Sequence, residues 1–208
     1  MNKPKERQFI DVVEQVLEEE HISLSRVSEK RDGGSYFVSG LATRRMENAL
    51  IYLICKKLLD EKGFFHTWSL AWEDNYPCNS RQHCDITMTN NKPSPAEDPN
   101  ELTKNPGPWD FIEFGYSYPK KKIEKDVKKL ANLEDADGFQ CGGRYIVMFS
   151  VVGEREAQEL KEAPNKNNLL NDREWLLKRE DIREFSLGKG YGVFAIEFFK
   201  LTKHKGAS

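Results

Sequence analysis

Two acidic residues lie among apolar neighbours in strand-like segments. Asp85 falls within Arg81-Gln-His-Cys-Asp-Ile-Thr-Met88, and Glu113 within Pro108-Trp-Asp-Phe-Ile-Glu-Phe-Gly-Tyr116. Side chains alternate across a strand. Ile86 and Met88 therefore share one face, with Asp85, Thr87 and Thr89 on the other. Ile112, Phe114 and Tyr116 share a face, with Phe111, Glu113 and Gly115 opposite. An isolated buried carboxylate is costly, so two of them on neighbouring strands call for a cation between them. A hard divalent ion such as Mg²⁺, held by one or two carboxylates plus substrate phosphates, meets that need.

Two further acids are candidate metal ligands. Glu47 begins the line Leu50, Ile54, Leu58 of a helix predicted over residues 43–62. It thus heads an apolar face, although an acid in a first helical turn is also favoured by the helix dipole alone. Glu73 follows an aromatic strand predicted from Phe64 to Trp72 and falls in an expected turn, Glu73-Asp-Asn-Tyr-Pro77, where a solvated turn residue is the plainer reading. Cys78, His83 and Cys84 do not have the spacing of a zinc site.

After the Glu113 strand, Ser117-Tyr-Pro119 opens a predicted helix with Pro119 in its first turn. Ile123, Val127, Leu130 and Ala131 form its apolar face, and Lys120, Lys121, Lys122, Lys125, Lys128 and Lys129 supply charge. Such lysines are either a solvated face or phosphate contacts, with Lys121, Lys122, Lys125 and Lys129 the candidates for nucleic-acid binding.

The order of these features resembles the PD-(D/E)XK, or restriction-endonuclease-like, nuclease superfamily. The resemblance rests on Asp85, on Ile112-Glu-Phe114, and on Asp126-Val-Lys-Lys-Leu130, and it covers residues 41–152. It implies Mg²⁺-dependent cleavage of phosphodiester bonds in nucleic acid, DNA favoured, with Asp85 and Glu113 holding the ion and Glu47 as an additional acid. It also implies a lysine two residues after the second acid, where this chain has Gly115. A lysine from the helix, Lys125 or Lys129, then has to reach the site. Two other readings stand beside this one. One is a catalytically degenerate nuclease fold that binds nucleic acid or protein. The other is a non-nuclease α/β protein whose acids are structural.

Composition bounds these readings. The chain has 208 residues, 32% of them charged, and a net charge of −2. One domain with a sizeable core is expected, and a generally basic nucleic-acid-binding surface is not. No apolar run is long enough to span a bilayer. The polar start does not read as a signal peptide, and the four cysteines suggest no secreted disulfide framework. A cytoplasmic protein with free thiols is the expectation, and a homodimer is compatible with it.

Along the chain, the pattern Phe9, Val12, Val13, Val16, Leu17 predicts a helix over 5–20. Residues 21–40 read as a connector with a Gly33-Gly34 turn and a short strand at 36–38. Residues 90–108, with five prolines, read as a loop joining the two acidic strands, either a substrate flap or disorder. Arg144 to Val152 reads as a strand buried on both faces. There follow a helix over 153–163, a loop, a short helix from Asp172, and a final strand over 191–201. This order predicts an α/β domain with a mixed central sheet flanked by helices and a restriction-endonuclease-like core. Residues 1–40 would form an N-terminal helix and connector, 41–152 the core, and 153–208 the C-terminal elements.

Overall fold

The computed structural model describes residues 5–29, 47–60, 69–76, 79–89, 108–116, 120–133, 140–162, 174–188 and 191–204. They form α1 (Lys5–Glu29), α2 (Glu47–Asp60), β1 (Ser69–Tyr76), β2 (Asn79–Thr89), β3 (Trp109–Tyr116), α3 (Lys120–Ala131), β4 (Cys141–Val152), α4 (Glu154–Glu162), β5 (Trp175–Ser186) and β6 (Val193–Lys203). The class is mixed α/β, as expected. One six-stranded sheet has the order β1-β2-β3-β4-β6-β5. β1, β2 and β3 form an antiparallel meander. α3 then crosses over so that β4 runs parallel to β3. β6 is antiparallel to both β4 and β5.

Alternation along the strands sorts the core into two layers. Ile86, Met88, Ile112, Phe114, Val147, Phe149, Phe194, Ile196 and Phe198 pack with α1 and α2. Phe111, Ile146, Phe199, Leu177 and Leu201 pack with Ile123, Val127 and Leu130 of α3. β4 feeds both layers, which accounts for its nearly continuous apolar run. The predicted stripe of α2 is buried at Leu50, Ile51, Ile54, Cys55 and Leu58. α4 covers the far end of the sheet through Ala157, against Val152, Val193 and Ala195.

Three expectations are corrected. The first helix does not stop near residue 20: it runs to Glu29, because His21 is buried and Leu24 packs on the core, continuing the stripe past the three glutamates. β1 continues through residues 73–76 paired with β2, with a shift of register between Asn75 and Tyr76, so Glu73 lies in a strand and not in a turn. The predicted helix from Asp172 is also overturned, because Trp175–Ser186 is a strand paired along its length with β6. The Gly33-Gly34 turn, the strand at 36–38 and the proline-rich loop 90–107 lie outside the described residues. No described helix is long and apolar enough to cross a membrane.

Candidate functional site

The site forms where two strands part. β2 and β3 pair from Thr89–Trp109 to Ile86–Ile112, and among the described residues the ladder ends there, although both strands continue. β3 stays paired on its other side with β4 as far as Tyr116–Phe149. Its freed edge therefore presents backbone N–H groups that need acceptors. The Phe114 N–H donates to Asp85 Oδ2 at 2.6 Å, and the Tyr116 N–H donates to Glu47 Oε2 at 3.0 Å. The Cys84 thiol closes the fork, donating to the carbonyls of Ile86 (3.2 Å) and Ile112 (3.4 Å). Cys84 is fully buried, while His83 is exposed.

The remaining carboxylate oxygens meet α3. Lys122 Nζ lies 2.8 Å from Glu47 Oε1, which ties the start of α3 to the start of α2 around the end of β3. Lys129 Nζ lies 3.1 Å from Glu113 Oε1 and 2.9 Å from Asp126 Oδ1. The carboxyl groups of Asp85 and Glu113 adjoin, and Glu113 is one of the groups that act on Asp85. Burial pushes the Asp85 carboxyl above its ordinary range. The Phe114 N–H opposes that shift, and the nearby Glu47 charge adds to it. Burial pulls the Lys129 ammonium the other way, but Glu113 and Asp126 together hold it above its usual value, so it stays charged. Cys55 of α2 is pushed up to about 12, by burial first and then by the Asp85 charge, and is no nucleophile.

α3 is held in register by β4. Arg144 donates to the carbonyls of Leu130 (2.9 Å) and Leu133 (2.8 Å), capping the end of the helix, while its guanidinium lies 4.9 Å from the centre of the Trp175 ring. Asp110 accepts from the Gly143 N–H and fixes the bulge where β3 begins to pair with β4.

No family model, curated protein or solved structure matches this chain.

The structure thus sets Asp85 beside Glu113 at the fork, with Glu47 on the next exposed N–H of β3, and it adds Lys122 and Lys129 from the lysine helix. Lys125 is exposed on α3 and makes none of these contacts. The side chains of Glu73 and Lys121 lie outside those described. Asp126 and Arg144 were not anticipated as site residues. The signal for Asp126 was present as an acid three residues before Lys129 on one helix face, and Arg144 gave none. Among the described residues, no three His, Cys, Asp or Glu side chains are grouped to hold a metal ion by themselves. The donor set available is the pair Asp85 and Glu113. Two adjoining hard oxygen donors suit Mg²⁺, which is commonly bound by one or two carboxylates, with water and phosphate completing its shell.

Proposed function

We propose that the chain is a Mg²⁺-dependent nuclease with a restriction-endonuclease-like core, cleaving phosphodiester bonds in nucleic acid, DNA favoured. The observation that carries this reading is that Asp85 and Glu113 adjoin on neighbouring strands that part at that point, with Lys129 Nζ 3.1 Å from Glu113 Oε1. Two carboxylates forced together favour a cation beside them. The segment from α2 to β4, with its three-strand meander and parallel crossover, is the stretch of the sequence resemblance, and its topology supports the same reading.

Asp85 and Glu113 would hold the ion. A bound Mg²⁺ supplies Lewis acidity to a phosphoryl oxygen and eases deprotonation of water. Lys129 offsets charge beside Glu113, the role that Gly115 cannot fill. Lys122 and the exposed Lys125 offer phosphate contacts along α3, which position a backbone without reading its sequence. The free thiols of Cys55, Cys84 and Cys141 suit a reducing cytoplasm.

The test is cleavage of single- and double-stranded DNA and RNA by purified protein with Mg²⁺ or Mn²⁺. Asp85→Asn and Glu113→Gln should each remove divalent-dependent cleavage while leaving the melting transition cooperative. Equal cleavage by wild type and both variants would exclude these residues. One observation favours a second reading, nucleic-acid binding without cleavage: Lys129 already neutralises Glu113. Binding without cleavage by the wild type would select it.

A further inference from the structure

We infer that Asp126 is a positioning residue whose carboxylate fixes the Lys129 ammonium against Glu113. The inference deepens the nuclease reading and rests on it.

A lysine two residues along β3 would be aimed at the site by the strand itself. A lysine on α3 has no such guide, because its ammonium sits on a flexible four-carbon stem. Asp126 lies three residues before Lys129 on the same helix face, and its side chain is 4% exposed. Burying a carboxylate there is costly unless it is paired. Lys129 pays that cost and is fixed in return. Its three N–H donors include one at 2.9 Å from Asp126 and one at 3.1 Å from Glu113. Two anchors from different elements define a point, whereas one anchor defines only a reach.

Lys122, on the same helix, provides the contrast. It meets Glu47 at 2.8 Å, yet its side chain is 38% exposed against 16% for Lys129. Arg144 grips the carbonyl of Leu130, the residue next to Lys129, so the helix end carrying both members of the Asp126–Lys129 pair is itself anchored to β4. Gly115 is paired to Met148 on the sheet face that carries Glu113. With no side chain at Gly115, the cation has to be delivered from outside the strand, and Asp126 is the group that delivers it.

The experiment uses the full chain in two assays. In steady-state cleavage with Mg²⁺, Asp126→Asn keeps the shape and removes the charge. Its kcat should fall roughly 100-fold, the scale of a small misplacement at a reacting centre, with KM unchanged. Asp126→Glu, which still reaches Lys129, should recover most of the loss. An unchanged kcat in Asp126→Asn, or a raised KM with kcat intact, would overturn the assignment. The second assay does not depend on cleavage: amine acetylation of folded protein, mapped by mass spectrometry. Lys129 should be modified faster in Asp126→Asn than in wild type, and should remain protected in Asp126→Glu. Equal modification in wild type and Asp126→Asn overturns the proposal even if the wild type proves inert, an outcome that would itself count against the nuclease reading. If Asp126→Asn does not fold, a folded Asp126→Glu with Lys129 unprotected overturns it instead.

Discussion

Two buried clusters of charge lie on the same face of this sheet. Glu113 is in register with Ile146, Ile146 with Phe199, and Phe199 with Arg179, so one row of side chains runs from the candidate site to a second ion pair. That pair is Arg179 and Glu197, 2.8 Å apart, with side chains only 5% and 7% exposed. The guanidinium also donates to the Leu160 carbonyl at 2.5 Å, tying β5 to α4. Charge there is balanced one to one. At the fork the balance differs, because among the described residues Glu47, Asp85, Glu113 and Asp126 face Lys122 and Lys129. Burial and pairing are common to both clusters, so neither identifies a working site. On the proposed reading, the difference that matters is the excess of acid at the fork among the described residues.

The largest effect is expected where charge is balanced. Arg179→Ala leaves Glu197 buried without its partner and should cost about 3–5 kcal/mol of stability, read by denaturant unfolding. Arg179→Met combined with Glu197→Leu should return close to wild type, since an apolar replacement of a buried ion pair is often neutral. Cleavage by the folded fraction should be unaffected in either case. Lost cleavage in the double variant at full stability would erase the distinction between the two clusters.

A smaller effect separates the roles of Lys129 and Gly115. Lys129→Met should lower kcat by roughly 100-fold or more, the scale for removing one preorganised charge contact. Adding Gly115→Lys to it should recover part of that loss, because residue 115 shares a sheet face with Glu113 and an ammonium there approaches the same carboxylate. Strand propensity does not oppose the change. If the double variant is no better than Lys129→Met at equal stability, Lys129 and position 115 do not address the same space.

The smallest effect concerns pH. Asp85 has its proton affinity raised in the folded state by burial and by Glu47. A raised carboxyl is a stability cost that is absent below the ordinary carboxylate range and develops as pH rises through the folded value. Wild type should therefore gain stability on mild acidification relative to Asp85→Asn, and the variant should melt higher than wild type at neutral pH. Mg²⁺ should narrow the gap by stabilising wild type alone. Thermal melts across pH, with and without Mg²⁺, read both effects. Parallel curves for the two proteins would mean that the Asp85 charge is not under strain.

Much of the site was legible because it depends on local rules. Alternation put Asp85 and Glu113 on recognisable strands, helical spacing put Glu47 at the head of the α2 stripe, and element order pointed to a mixed sheet flanked by helices. The rest was set by long-range packing. The segment Trp175–Ser186 is rich in Leu, Lys, Arg and Glu, which favour helix, and the bulge between Arg179 and Asp181 breaks the alternation that would have marked a strand. Pairing with β6 overrode both signals. β1 was cut short at Glu73 because two adjacent acids look like a turn, whereas pairing with β2 carries the strand past them. Which lysine of six would meet Glu113 depended on the rotation of α3, and that is fixed by Arg144 and by the buried Ile123, Val127 and Leu130. Nothing in the spacing of the lysines distinguished Lys129 from Lys125.

The parting of β2 and β3 also bears on when the site forms. The Phe114 N–H finds its acceptor 29 residues back along the chain, the Tyr116 N–H finds its own 69 back, and the Lys122–Glu47 contact spans 75. Each contact closes a large loop whose entropy is spent before the contact returns anything. Pairing of this kind is slow relative to local helix formation. A chain with α2 and α3 formed but the meander undocked has helices and lysines and no fork. On the proposed reading, the acid pair that would hold a metal is therefore assembled only with the finished sheet.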